Sequence, residues 1–267
     1  MTHQLQGQVA LVTGAGRGFG RAIARRLAAE GAAVALTSRT LPQLEAVARE
    51  IEAAGGRACA VAGDVTDAAD VARVVSECRS RLGEVSLFIN NAGVPGPFGP
   101  LWEIDPEVWW QSQAVHIRAP LLFLRAVLPP MIARGSGRVI IVSAIASRTV
   151  AAYLSAYCVG KIAQTRIVEE LAAETRDTGV SAFAIDPGFV FTGIAAETLN
   201  SPDAQRWLPH MVGRLRAKKD EKGSDTDLYR CAQRCVDLAS GKYDALSGRY
   251  TELTDDLDAL LRSAGSA

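Results

Sequence analysis

Short runs of β-branched and other apolar residues alternate along this chain with longer stretches whose apolar positions recur at helical spacing. Residues 9–13, 33–37, 57–62, 86–90, 138–143 and 180–186 form the short runs and predict strands. Between them, residues 19–30 and 41–54 and the stretches near 67–82, 106–134 and 155–177 predict helices. Near-continuous apolar strands separated by helices are the pattern of a parallel sheet covered on both faces, since each parallel connection needs a crossover. Gly83, Gly135-Ser136-Gly137 and Gly179 stand where helices should stop, because glycine tolerates the left-handed cap conformation. The expected architecture is α/β, a doubly wound parallel sheet. The rhythm breaks from Phe191 to about Thr226, where Pro202, Pro209 and the run Lys218-Lys219-Asp220-Glu221-Lys222 occur. No internal repeat or linker composition interrupts the chain, so residues 1–267 read as one domain carrying a helical lid at 193–225.

Composition narrows the function classes. A chain of 267 residues, 48% of them apolar, can bury a substantial core. Its 29 basic residues balance 29 acidic ones, which removes the electrostatic case for nucleic acid or an anionic membrane surface. The N-terminus shows no basic run followed by an apolar one, and no apolar stretch reads as a membrane span; a soluble, cytoplasmic protein is expected. Five cysteines at irregular spacings, with no Cys-x-x-Cys and no histidine cluster, predict neither a disulfide framework nor a metal site. Cys231 and Cys235 read as small buried thiols.

Two motifs carry chemistry. Directly after the first strand comes Thr13-Gly14-Ala15-Gly16-Arg17-Gly18-Phe19-Gly20, followed by a helix. Glycines in that position let the backbone approach a pyrophosphate, whose charge sits at the helix N-terminus where free N–H groups favour anions. The second motif is Tyr157-Cys158-Val159-Gly160-Lys161. On a helix this spacing puts both side chains on one face, and a lysine charge beside a phenol favours its ionised form. Taken alone, the same pairing also occurs on ordinary solvated helix faces.

With these motifs in order, from Gln8 to about Gly193, the chain resembles the short-chain dehydrogenase/reductase family. The likeness covers Thr-Gly-x-x-x-Gly-x-Gly, Asp64-Val65, Asn90-Asn91-Ala92-Gly93, Tyr157-x-x-x-Lys161 and Pro187-Gly188-Phe189-Val190-Phe191-Thr192. It implies a Rossmann fold with a seven-stranded sheet. Gly14, Arg17, Gly18, Phe19 and Gly20 would hold the pyrophosphate, Asp64 and Val65 the adenine, and Asn91, Ala92, Gly93, Pro187, Gly188, Val190 and Thr192 the nicotinamide side. Lys161 would bind the nicotinamide ribose and lower the pKa of Tyr157, which would pass a proton to or from a carbonyl oxygen as hydride moves. The second strand ends Leu36-Thr37-Ser38-Arg39 without the acid that binds a ribose 2′-hydroxyl in NAD enzymes. Arg39, with Ser38 and Arg17, suits a 2′-phosphate instead, so NADP(H) is expected over NAD(H).

Two positions depart from the family. Members commonly end the fifth strand Ser-Ser, the second serine being catalytic, whereas this chain has Ser143-Ala144. Neighbouring strand residues face opposite sides, so either a one-residue shift lets Ser143 serve or the pocket lacks that hydroxyl, with Ser147 a weaker substitute. His116 stands in Gln113-Ala114-Val115-His116 where members have an asparagine that holds a water linking the lysine to solvent. It can replace that residue as a proton relay or sit in the core as a structural histidine.

The substrate is less legible. Residues 94–100, Trp102, Phe189, Phe191, Trp207 and Met211 are candidates for an apolar pocket, and Arg148 is a candidate anion contact. A small carbonyl or alcohol substrate is expected, with no nucleic-acid or membrane partner. The likeness further implies a homodimer or homotetramer through the helices near 106–134 and 155–177. The atypical tail Ser247-Gly248-Arg249-Tyr250-Thr251-Glu252-Leu253 puts the tetramer in doubt. The leading expectation is an NADP-dependent oxidoreductase. Alternatives are a dehydratase, isomerase or cyclase on the same fold, and a nucleotide-binding regulator without turnover.

Overall fold

Alternate residues along the strands face opposite sides of the sheet and divide the core into two layers. In a computed structural model, which describes residues 3–221 and 226–265, the strands are β1 (Val9–Thr13), β2 (Ala33–Ser38), β3 (Arg57–Ala62), β4 (Leu87–Asn90), β5 (Gly137–Val142), β6 (Val180–Ile185) and β7 (Tyr250–Thr251). Their order is β3-β2-β1-β4-β5-β6-β7, every pair parallel. Ala10, Val12, Ile140 and Val142 point into one layer, covered by α1 (Gly18–Ala29), α2 (Leu41–Ala53) and the later helix of residues 226–239. Val9, Leu11, Val139 and Ile141 point into the other, covered by α3 (Ala68–Leu82) and two helices that follow β4 and β5. There Phe88 of β4 stacks on Phe123, ring centroids 5.2 Å apart. Burying one such side chain stabilises the fold by about 1.5–3 kcal/mol.

Each of the six predicted strand runs is present, within a residue or two at its ends. The seventh strand is the two-residue β7, in the segment whose sequence departs from the family pattern. The predicted single helix over 106–134 is not one helix. It divides into α4 (Pro106–Gln113), a π-turn (Ala114–Arg118) and α5 (Ala119–Ala133). The reason lies in Pro120, which has no N–H to give the carbonyl four residues back. This run also corrects the expectation about apolar length. Pro106–Ala133 is long and apolar enough by length and composition to cross a membrane, with mean hydropathy 1.3 in its most apolar window. Here it packs Phe123, Leu124, Val127 and Met131 onto the sheet.

After β5 comes α6 (Ser155–Glu174), and after β6 come α7 (Gly193–Asn200), α8 (Pro202–Trp207) and α9 (Pro209–Asp220). These three short helices occupy the segment read as a lid, of which residues 222–225 lie outside the described residues. The chain closes with α10 (Thr226–Ala239), β7 and α11 (Leu257–Ala264). Strand order reverses between β1 and β4, and in open α/β sheets ligands bind beyond the carboxyl ends of the strands at such a point.

Candidate active site

A cleft of about 550 Å³ opens where β1 and β4 end. It gathers Gly14, Arg17, Gly18, Phe19, Ser38, Arg39, Asp64, Val65, Asn91, Ala92, Gly93 and Thr192, drawn from five separate stretches of sequence. A groove of about 640 Å³ along the β3 edge shares none of these residues. The glycine loop is shaped for close approach. Gly14 has φ of 64°, and a Cβ on Gly20 would stand 2.3 Å from the Gly14 carbonyl oxygen, so Gly20 packs beneath the loop rather than lining the cleft. No side chain caps the N-terminus of α1 and no acid occupies its first turn, which leaves backbone N–H groups free for an anion. This arrangement fits a dinucleotide pyrophosphate.

Thr13 holds the two sides of the cleft together, a role the sequence motif did not disclose. Its hydroxyl accepts from the backbone N–H groups of Asn91 at 2.9 Å and Ala92 at 3.0 Å. The Asn91 amide in turn donates to the Thr13 carbonyl at 2.9 Å. Asp64 accepts from the Thr66 backbone and hydroxyl, so its carboxylate is turned into its own loop. On the far wall, Asp227 of α10 accepts from the Phe189 N–H at 3.0 Å and lies against Gly188, fixing the Pro187–Gly188 turn. Val190 is buried behind that turn.

At the adenosine end Asp64 is the one acid among the lining residues. Ser38 lies beside Gly16 of the glycine loop. Arg39 is exposed, and no ion pair holds it among the described residues. Arg17 is engaged differently. Its guanidinium reaches over Gly193 and pairs with Glu197 of α7 at 2.8 Å.

The catalytic candidates converge from three elements. Lys161 is 3% exposed, and its Nζ donates to the Val142 carbonyl at 2.8 Å and to Gln164 Oε1 at 3.1 Å. It lies 5.5 Å from the centre of the Tyr157 ring. Burial pulls the Lys161 pKa down to about 7, with Asp186 acting weakly the other way. Burial pushes the Tyr157 phenol above its ordinary value, and Asp186 and Cys158 add to that push. The expected lowering of Tyr157 by Lys161 does not appear: desolvation dominates and holds the phenol above its ordinary value.

Of the alternatives open for Ser143 and His116, the packing matches the structural one for each. The Ser143 hydroxyl donates to the Lys161 carbonyl at 3.1 Å and pairs with Thr165 at 3.2 Å, both on α6, and the residue is 1% exposed. Its hydroxyl is directed at α6, which it braces. Ala144, next along, occupies the turn into a short 3₁₀ segment without any hydroxyl. Ser147 is buried beside Tyr250. His116 is fully buried in the π-turn, its Nε2 donating to the Val94 carbonyl at 2.9 Å and its ring edge-on to Tyr157 at 5.6 Å. Burial first, and Lys161 second, pull its pKa down to about 3, which favours the neutral imidazole near pH 7. Its Nδ1 has no partner among the described residues.

Tyr157 packs with an apolar cluster of Phe98, Leu154, Ala204, Leu208 and Val212, with Met211 against it. Trp207 of α8 packs against Tyr153, ring centroids 5.1 Å apart and planes tilted by 36°, and Tyr153 is the one described non-glycine residue with positive φ, 67°. Such a conformation is uncommon for a bulky residue and marks a constrained loop. Trp102, 82% exposed, lies apart from the cluster. Arg148 lies over the Tyr250 ring at 4.3 Å, and Phe189 and Phe191 sit under Arg214 and Lys219.

Comparison with known proteins agrees with this geometry. Residues 8–203 match the family described as short chain dehydrogenase. A short chain dehydrogenase of Pseudocercospora fijiensis is 36% identical over 265 residues, covering 98% of this chain and 84% of the relative. The crystal structure of a gluconate 5-dehydrogenase from Burkholderia cenocepacia in complex with NADP and tartrate superposes with a TM-score of 0.80 at 26% identity, covering 97% of this chain and 98% of that one. A metagenomic short-chain oxidoreductase in complex with NADP gives 0.66 at 37% identity, covering 78% of this chain and 92% of the other. On the sheet order, the glycine loop and these matches, the chain belongs to the short-chain dehydrogenase/reductase family and is an NAD(P)-dependent enzyme.

Proposed function

We propose that this enzyme interconverts a ketone or aldehyde and an alcohol by hydride transfer, with NADP(H) preferred to NAD(H). The observation that carries the reading is the buried Lys161 ammonium 5.5 Å from the Tyr157 ring, beside a cleft built for a dinucleotide. When bound, the nicotinamide cofactor supplies hydride for reduction and takes it in oxidation. The free N–H groups at the start of α1 would hold its pyrophosphate. Arg39 and Ser38 would take a 2′-phosphate, and Arg17 could join them because its exposed pair with Glu197 is worth no more than about 1 kcal/mol. Asp64 and Val65 would flank the adenine, and Asn91 to Gly93 with Thr192 the nicotinamide side.

Tyr157 gives its proton to the carbonyl oxygen as hydride reaches carbon. Burial keeps the phenol protonated near neutral pH, so it begins reduction as a donor. Lys161 steadies the phenolate left behind. With alanine at 144, polarising the carbonyl falls to Tyr157 alone. The apolar cluster around Phe98 and Leu208 supports a fairly apolar substrate. The reading includes a cytoplasmic homodimer or homotetramer, supported by exposed Leu121 on α5 and Val159 and Ile162 on α6. Comparing kcat/KM for NADPH and NADH over a panel of ketones tests it. NADPH should win, and Arg39→Ala should remove about 10-fold or more of that advantage while leaving NADH nearly unchanged; a clear NADH preference rejects the cofactor assignment. Ser143 turned onto α6 also favours a second reading, a dehydratase, isomerase or cyclase, for which substrate would disappear without any change in NADPH.

A further inference from the structure

Three buried groups form a bridge behind the catalytic pair. Gln164, fully buried one turn after Lys161 on α6, accepts from Lys161 Nζ at 3.1 Å through Oε1. Its Nε2 donates to the His116 carbonyl at 3.0 Å. That carbonyl is available for a local reason. In an unbroken α-helix it would receive the N–H of residue 120, and residue 120 is proline. The π-turn begins two residues earlier, with the Ala119 N–H reaching the Ala114 carbonyl.

We infer that Gln164 is a positioning residue for Lys161, tying its ammonium through one side chain to the carbonyl that Pro120 leaves open. The inference rests on the reading of Lys161 as the residue that serves Tyr157. An ammonium has three N–H donors. Val142 and Gln164 take two, so the third is the one left to face the cleft. A Cβ built on Gly93, in the cleft wall, would lie 3.9 Å from Lys161 Nζ. In the family pattern an asparagine at position 116 holds a water behind the lysine; in this chain a glutamine side chain stands between the lysine and that same carbonyl. His116 contributes its backbone to the bridge while its ring is spent on Val94.

An acceptor on the ammonium favours its charged form, and burial opposes it. The ionisable groups facing Lys161 are Tyr157 on its own helix, His116 on the π-turn and Asp186 after β6. His116 stays neutral in the working range, so its state does not change with pH there. Replacing Gln164 by methionine keeps length and volume and deletes both hydrogen bonds; Gln164→Asn, one methylene shorter, serves as the second variant should the first fold poorly.

Lys161 is the one buried lysine among the described residues, and the chain has five lysines, so its side chain can be followed by NMR with ¹³C-labelled lysine in the cofactor-free protein. Gln164→Met should lower the Lys161 midpoint by about one pH unit. In ketone reduction by NADPH the variant should lose about tenfold in kcat near pH 8 and much less near pH 6, where the ammonium is restored; a purely structural defect would lower the rate equally at both. An unchanged Lys161 titration overturns the bridge. Absence of turnover in the parent enzyme would reject the proposed reaction, while the titration would still decide separately whether Gln164 holds the ammonium.

Discussion

The nucleotide end and the proton end of this site are built on different terms. At the nucleotide end, motif and geometry coincide. Gly14, Gly18 and Gly20 shape the loop, Thr13 ties it to Asn91 and Ala92, and the start of α1 is left uncapped. At the proton end only Tyr157 and Lys161 stand in the family's places. The serine position is Ala144, the asparagine position is His116, and Gln164 joins Lys161 to the His116 backbone. Binding a dinucleotide demands backbone shape, which tolerates little change because a Cβ in the wrong place meets a carbonyl. Moving one proton demands only that a donor be present and oriented, and several side-chain sets can orient it.

The comparison breaks first at Tyr157. Tyr157→Phe should lower kcat for ketone reduction by about 10³ while NADPH binding, followed by fluorescence, changes less than threefold. A comparable loss of binding would mean that the two ends are not separable. Gly20→Val should act on the other end, weakening NADPH by about 10² or more, since its Cβ would stand 2.3 Å from the Gly14 carbonyl oxygen. Ala144→Ser should return a carbonyl-polarising hydroxyl and raise kcat about tenfold. Ser143→Ala should instead leave kcat within about threefold and lower stability by about 1 kcal/mol, as its hydroxyl braces α6. A large rate loss there, with no response at Ala144, would restore Ser143 as the catalytic serine.

The smallest effect is a pH dependence of stability. His116 is pulled from its ordinary 6.5 to about 3 by burial, so between those values the unfolded chain holds a proton that the folded chain does not. Its contribution is complete above pH 6.5 and is lost as pH falls toward 3. The slope from one proton is about 1.4 kcal/mol per pH unit. Urea midpoints from pH 6.5 to 4.5 should therefore fall more steeply in the parent protein than in His116→Asn. Equal slopes would show that the imidazole is not held neutral.

How much of this could be read in the sequence follows the same division. The strands were legible because a short, near-continuous apolar run is local, and so was the glycine loop, whose residues are consecutive. Ser143 raised the right question, since adjacent strand positions face opposite ways, but only packing against Thr165 decides which way. Pro120 was visible, yet nothing local says that the carbonyl it leaves open is taken by a side chain of α6. Gln164 reads as an ordinary helix position three residues after a lysine, and nothing local says that it reaches His116, 48 residues back. Asp227 is likewise distant in sequence from the Phe189 N–H it accepts from, 38 residues away. What the sequence hid was long-range hydrogen bonding among buried polar groups.

The central claim, that Tyr157 gives a proton while hydride moves between cofactor and carbonyl, has one direct measurement. NADPH deuterated at C4 of the nicotinamide is incubated with a ketone that the enzyme consumes, and the product is read by mass spectrometry beside the 340 nm absorbance. One deuterium per product molecule, from one of the two C4 positions only, with equimolar NADPH oxidised and the reaction lost in Tyr157→Phe, is the expected result. Ketone consumed without deuterium in the product, or a full rate in Tyr157→Phe, would contradict it.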